Sequence, residues 1–339
     1  MIVKDLRITE FRGIKSCKSP IELSNFNVLI GRNNCGKSTI LEALSLLPSP
    51  LISEYITGRD KIEFIKNLHY REESLNINRR SYKTLIYQYA GTALIEYNRI
   101  GEKVFNISMK ENQIIPNFGV NEIINSIISK LKGTKPPKQL EYIDKFLEMI
   151  KKPSSLSVLF IPSDTQYIKE MNDKIDSLKD IIIKRGIHVQ VAKSLNKCVD
   201  DEYSEILFGD PLRIRKIFSD NFTYIRISDL GSGAEKLIKV MLLIESITPE
   251  LILIDDIEAG LHPTMINIFL KWLINRGSQV VISTHSIDVL YKLTEINPPD
   301  CNVLFLKKSR EDNLKYDKLS LDEIEDLLNA NTDPRKFNF

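Results

Sequence analysis

Two hydrophobic rhythms alternate along the chain. Residues 2–9 and 20–30 carry the short apolar spacing of strands around a turn at Arg12-Gly13-Ile14. Within them Phe26-Asn27-Val28-Leu29-Ile30 is a compact strand-type run, and Thr39-Ile40-Leu41-Glu42-Ala43-Leu44 then switches to helical spacing with good helix formers. A polar region with Pro48 and Pro50 follows. Tyr82–Tyr89, Ala93–Tyr97 and Lys103–Met109 read as three strands of a meander, punctuated by Gly91 and Gly101. Residues 121–151 read as helical, broken near Gly133-Thr134-Lys135-Pro136-Pro137. Ser157–Ile161 is an apolar strand stopped by Pro162. Residues 165–207 have helical spacing interrupted at Gly186 and predict a helical hairpin; a strand pair covers about 212–217 and 222–228. From residue 230 the pattern is helix 234–247, strand 250–255, helix 263–276 and strand 278–283. That alternation implies a parallel sheet with crossover helices, hence an α/β fold. The tail adds a helix, a strand at Asn302–Lys307 and a helix at 320–329, with no repeat or low-complexity segment.

The junction between the first strand–helix pair carries chemistry. Gly31-Arg32-Asn33-Asn34-Cys35-Gly36-Lys37-Ser38 is a complete G-x-x-x-x-G-K-[ST] loop, set between a strand and a helix as the motif requires. Its glycines let backbone N–H groups turn onto a phosphate, and the helix N-terminus adds partial positive charge. Asn33, Asn34, Cys35, Gly36, Lys37, Ser38 and Thr39 are the candidate phosphate cradle. Lys37 would reach the β- and γ-phosphates, and the Ser38 hydroxyl would bind Mg²⁺.

A second set of residues complements the first. Glu250-Leu251-Ile252-Leu253-Ile254-Asp255 is a buried-type strand ending in a carboxylate that suits a water ligand of Mg²⁺. Asp256 follows and can poise an attacking water. Two acids capping a strand end is the alternative, which the upstream loop disfavours. Leu230-Gly231-Ser232-Gly233-Ala234-Glu235-Lys236 is a Gly/Ser turn opening a helix. It suits a γ-phosphate, but read alone it is equally a plain helix start capped by Ser232. Val280-Val281-Ile282-Ser283-Thr284-His285-Ser286 is a strand ending in a histidine able to hydrogen-bond a phosphate. A lone histidine would more often be structural.

Composition narrows the partners. The chain has 339 residues, 47 Lys and Arg against 45 Asp and Glu, and net charge +2, so no global basic field argues for nucleic acid. Local basic clusters lie at Lys130-Leu131-Lys132-Gly133-Thr134-Lys135 and Arg213-Ile214-Arg215-Lys216, more simply read as solvated surface. Cys17, Cys35, Cys198 and Cys301 have neither disulfide nor zinc spacing, and a thiol inside the phosphate loop implies a reducing compartment. No apolar run approaches the length of a membrane span and no signal peptide opens the chain, so a cytoplasmic protein is expected.

In this order, the P-loop, L-G-S-G-A-E-K (230–236), I-D-D-I-E-A-G-L-H-P (254–263) and S-T-H-S (283–286) resemble the ABC-type ATPase heads, in particular their OLD-like and RecF/SMC-like branch. Leu6–Ile14 resembles that branch's first strand, and Ala259-Gly260-Leu261-His262-Pro263 its D-loop. The resemblance implies an ABC-type P-loop fold with a mixed sheet, an antiparallel meander and a short helical insertion. It implies one composite head: residues 1–120 as lobe I, 121–210 as insertion and 211–339 as lobe II. It also implies a head-to-tail homodimer that sandwiches two ATP molecules. Ser232 and Gly233 of one subunit would contact the γ-phosphate held by Gly36, Lys37 and Ser38 of the other. Asp255 would serve Mg²⁺, Asp256 would poise the water and His285 would sense the γ-phosphate.

The chain departs from the pattern where the family usually has Glu and this sequence has Asp256, one methylene shorter. Either the backbone compensates or turnover is slow; Glu258 is the alternative base. A glutamine-loop residue is also implied, with Gln88 as candidate, although a strand-face glutamine is the simpler reading. Residues 286–339 are too few for the TOPRIM nuclease of many OLD-like proteins, so a built-in nuclease is not expected. The insertion is too short for SMC-type coiled-coil arms, since about 20 helical residues span only about 30 Å. Three outputs remain open: driving a nuclease or toxin effector protein in genome defence, a RecF-like DNA-repair role, and a slow ATP-dependent switch or scaffold. A P-loop kinase fits poorly, because it has no use for the 230–236 turn or His285.

Overall fold

The computed structural model describes residues 2–69, 81–99, 105–117, 156–219 and 221–336. The expected helices at 121–151 lie outside these residues. One large mixed sheet organises the rest. Its strands, in sheet order, are β7 (Gln113–Asn117), β6 (Phe105–Lys110), β5 (Ala93–Arg99), β1 (Val3–Phe11), β2 (Ile14–Cys17), β15 (Asn313–Leu319), β14 (Cys301–Lys308), β4 (Phe26–Ile30), β13 (Gln279–Ser283), β12 (Leu251–Ile254) and β8 (Val158–Ile161), with β3 (Ile21–Glu22) beside β1.

The run β14–β4–β13–β12–β8 is parallel throughout. β4, β8, β12 and β13 are buried at every position, which is why they read as largely apolar runs rather than alternating ones. The P-loop helix α1 (Lys37–Ser45) packs over β8, β12 and β13, burying Ile40, Leu41 and Leu44. Fully burying a side chain of this size stabilises the fold by roughly 1.5–3 kcal/mol.

One buried amide ties the chain's first strand to this sheet. Gln279 Oε1 accepts the N–H groups of Ile2 (2.9 Å) and Val3 (2.8 Å), and its Nε2 donates to the carbonyls of Val3 (2.8 Å) and Ser24 (2.9 Å).

The remaining helices among the described residues are α2 (Lys61–Leu68), α3 (Thr165–Ser177), α4 (Lys179–Lys184), α5 (Ile187–Leu195), α6 (Ser232–Ile247), α7 (Pro263–Ile274), α8 (Ile287–Ile296) and α9 (Leu321–Asn329). Local chemistry fixes their starts. Asp164 caps α3, accepting the N–H groups of Gln166 and Tyr167. Ser320 and Glu323 form a full capping box on α9. His262 caps α7 ahead of Pro263 at the first helical position, so the Leu261-His262-Pro263 stretch is a helix-start signal as well as a motif.

Several expectations change. Tyr82–Tyr89 is not a strand: it forms two 3₁₀ turns, with Gln88 (φ 48°) and Tyr89 (φ 62°) in the left-handed region. The span 165–207 is three helices followed by a strand, β9 (Glu202–Leu207), and not a hairpin. That strand joins β10 (Arg213–Phe218) and β11 (Asn221–Arg226) in a separate three-stranded sheet. The 20–30 segment splits into β3 and β4, because Asn27 turns its side chain onto the Ser24 backbone: Oδ1 accepts Ser24 N–H at 2.7 Å and Nδ2 donates to Ser24 O at 2.8 Å. β2, β7 and β15 lie outside the expected strands.

Candidate nucleotide site

Four loops leave the C-terminal ends of neighbouring parallel strands: 31–36 after β4, 162–164 after β8, 255–262 after β12 and 284–286 after β13. This edge is where open α/β sheets bind ligands. In the loop after β4, Asn34 (φ 61°), Gly31 (φ 141°) and Gly36 (φ 105°) turn the backbone. A Cβ at Gly31 would stand 2.5 Å from the carbonyl oxygen of Leu306 and 2.9 Å from Cys35 Sγ, so only glycine fits. Lys37 curls over the loop, its Nζ donating to the carbonyls of Gly31 (3.1 Å) and Arg32 (3.3 Å). Burial raises the Cys35 thiol pKa, against the lowering influence of Lys37. Ser38 and Thr39 open α1.

Asp255 and Asp256 are joined to β13 through one hydroxyl. Ser283 Oγ donates to Asp255 Oδ1 at 2.5 Å and accepts the Asp256 N–H at 2.8 Å. Asp256 has φ 46°, a left-handed conformation unusual for a non-glycine residue. Its carboxyl is raised above the ordinary aspartate range by burial and by neighbouring Asp255, with His285 opposing. His285 Nε2 lies 3.7 Å from Asp256 Oδ1, and Lys37 also acts on that carboxyl. The structure therefore brings Lys37, Asp255, Asp256 and His285 to one edge.

The Ser232 turn packs on the 255–262 loop. The cap of α6 is Gly231 (φ 96°), and Ser232 is its exposed first residue, not the cap that a plain helix start suggested. Gly233 packs on Gly260, and Lys236 Nζ donates to Ala259 O at 3.3 Å. Burial lowers the Lys236 pKa, while Asp256, Glu258 and Asp255 oppose that shift. Among the described residues no hydrogen bond or ion pair joins this turn to the P-loop. Gln88, in its turn, donates from Nε2 to the Tyr87 hydroxyl at 3.1 Å.

Two residues here exceeded the sequence reading. Glu258 has both oxygens engaged: Oε2 accepts the Thr284 hydroxyl (2.8 Å) and Oε1 the His285 N–H (2.6 Å). Glu42 on α1, almost fully buried, takes Arg12 Nη1 on Oε2 and lies 2.9 Å from His69 Nε2 on Oε1. Arg12 thus fastens the β1–β2 turn to the P-loop helix. The i, i+3 or i, i+4 signals of a single helix reveal neither link, because both cross between elements.

A phosphate loop, a strand-end aspartate pair and a strand-end histidine on adjacent parallel strands fit a P-loop ATPase. The chain belongs to the family described as "AAA domain, putative AbiEii toxin, Type IV TA system", which matches residues 26–290. A relative from Helicobacter pylori (strain ATCC 700392 / 26695), named ATP/GTP phosphatase, is 23% identical, with 87% of this chain and 88% of that one covered. The fold is shared with the Smc head solved bound to the C-terminal winged-helix domain of ScpA (14% identity, 96% and 99% covered, TM-score 0.60). It is shared too with an Smc head with extended coiled coil bound to the C-terminal domain of ScpA derived from Pyrococcus furiosus (14%, 97% and 98%, TM-score 0.52).

Proposed function

We propose that two copies of this chain close head-to-tail on ATP and that hydrolysis reopens them, placing the chain in the OLD-like, RecF/SMC-like branch with residues 1–120 and 211–339 as its lobes. The observation that carries this reading is the separation of two half-sites. Lys37, Asp255, Asp256 and His285 face one edge, while the exposed Ser232 turn sits against Ala259 and Gly260 with no bond to the P-loop among the described residues. A second copy supplies the missing half: Ser232 and Gly233 of one subunit contact the γ-phosphate held by Asn33, Asn34, Cys35, Gly36, Lys37, Ser38 and Thr39 of the other. Charge shared by both faces makes the interface depend on the γ-phosphate.

Mg²⁺ fits the donor set: Ser38 would offer a hydroxyl and Asp255 a carboxylate whose Oδ1 is engaged by Ser283, both hard oxygen donors. When bound, it neutralises phosphate charge. Asp256 orients and deprotonates the water, since Glu258 is committed to the His285 segment. The ATP/GTP name of the relative makes GTP the competing nucleotide to test.

The output is a partner protein, a nuclease or toxin effector; DNA is the second reading, resting on the basic residues of β10. Among the described residues no helix is long and apolar enough to cross a membrane.

Sizing Asp256→Asn with and without ATP and Mg²⁺ tests the sandwich. A dimer that appears only with both is expected; a monomer with bound ATP at every concentration overturns it. DNA-stimulated turnover with steep salt dependence would favour the DNA reading. ATP-dependent dimers with negligible turnover in the unaltered chain would favour a slow switch.

A further inference from the structure

The backbone of His285 is gripped on both sides. Its N–H donates to Glu258 Oε1 at 2.6 Å, and its carbonyl oxygen accepts Arg335 Nη1. The N–H belongs to the peptide plane before His285 and the carbonyl to the plane after it. Fixing both planes fixes φ and ψ of this one residue, and with them the direction of its Cα–Cβ bond. Further along the chain, Ser286 caps α8 and donates its own N–H to Thr284 Oγ1 at 2.9 Å. From that backbone the imidazole places Nε2 3.7 Å from Asp256 Oδ1.

Arg335 is itself braced. It lies in the turn beyond α9, where Asp333 accepts three of its donors: Nε on Oδ1 at 2.7 Å, Nη2 on Oδ2 at 2.7 Å and the backbone N–H on Oδ1 at 3.0 Å. This two-pronged pairing orients the planar guanidinium and leaves Nη1 directed at His285. The carboxylates of Glu258 and Asp288 also face the guanidinium. The pair is largely shielded, with side-chain exposures of 26% for Arg335 and 19% for Asp333.

We infer that Arg335, oriented by Asp333, is a positioning residue for His285 in ATP hydrolysis, so that the segment following α9 is part of the nucleotide machinery. The inference rests on the reading of His285 as the group that faces the γ-phosphate. It assigns Arg335 no contact with nucleotide. Its action is on the histidine's backbone, so its loss should lower kcat while leaving ATP affinity in place.

A double-mutant cycle on the full chain tests it, with steady-state kcat and KM for ATP and melting temperature measured for Arg335→Ala, Arg335→Lys, His285→Ala and the Arg335→Ala/His285→Ala pair. Arg335→Ala is expected to lower kcat about tenfold with KM changed by less than about twofold. Arg335→Lys keeps a charged donor group without the planar fork and should recover part of the loss. The double variant should be no slower than His285→Ala alone, because positioning has no value once the imidazole is gone. If Arg335→Ala fails to fold, Asp333→Asn takes its place in the cycle, since it releases the guanidinium while keeping its charge. Unchanged kcat in Arg335→Ala beside a lowered kcat in His285→Ala overturns the inference alone, as do fully additive losses. Unchanged kcat in His285→Ala overturns the parent role of His285 and this inference with it.

Discussion

Gly233 lies against the carbonyl oxygen of Gly260 so closely that a Cβ on Gly233 would stand 2.0 Å from it. The neighbour is backbone, so nothing flexible can yield. Gly233→Ala is expected to push α6 off the 259–260 loop. ATPase activity should fall at least about tenfold, while nucleotide binding at the P-loop, followed with a fluorescent ATP analogue, should change by less than about threefold. Equal loss of binding and turnover would mean that the substitution damages the fold at large.

Asp256→Asn should retain ATP binding and reduce kcat by about a hundredfold or more, the usual scale for losing a general base. The rate requires the carboxylate form. Because burial and Asp255 raise this carboxyl's pKa, the acid limb of kcat in the unaltered chain should lie above the ordinary aspartate value of 3.8. Activity falls as pH drops through the raised pKa. A rate independent of pH across that region, or unchanged turnover in Asp256→Asn, would move the role to another residue.

Lys61 is a buried cation whose pKa is pushed down from 10.5 to about 7 by burial, with Glu54 opposing, and its Nζ donates to the Leu47 carbonyl. A lowered lysine pKa means that the folded chain holds the proton less tightly than the unfolded chain. Between about pH 7 and 10.5 the unfolded state binds more protons, so this group's contribution to stability rises with pH across that window and is lowest below it. Urea unfolding of Lys61→Met beside the unaltered chain at pH 6.5 and 9 should show the gap between them shifting toward the unaltered chain at higher pH. A constant gap would show that Lys61 does not titrate there. Tyr97 and Tyr167, raised by burial, act oppositely above pH 10.

Gln279→Leu removes the amide that serves four backbone groups of the first strand and Ser24. At roughly 1–3 kcal/mol for each buried group left unsatisfied, a loss of about 3 kcal/mol or more is expected in denaturant unfolding. Gln279→Glu, which sets a carboxylate oxygen against the carbonyls of Val3 and Ser24 in a buried place, should cost at least as much. A Leu variant of native stability would mean that the first strand is held by its β5, β3 and β2 pairings alone.

Local patterns carried much of the site. The P-loop, the strand ending at Asp255 and the strand ending at His285 are each written in consecutive residues, because parallel buried strands advertise themselves as apolar runs. β15 lacks a clean apolar alternation, because Lys315, Asp317 and Lys318 are all exposed within it. Tyr82–Tyr89 is rich in β-forming residues, yet backbone turns at Gln88 and Tyr89 override that propensity. Glu258 sits in a legible motif, but its service to Thr284 and His285 requires the β12–β13 register. Arg335 carries no local signature at all: its meaning lies in a residue fifty positions earlier.

The sheet order also sets a schedule for the ribosome. β4, which launches the phosphate loop, has β13 on one side and β14 on the other, both drawn from residues beyond 278. A nascent chain therefore exposes Gly31–Ser38 early but cannot build the bed beneath that loop until most of the polypeptide has emerged. Nucleotide capture thus arrives late in biogenesis, and a chain stalled before β13 carries the motif without the function.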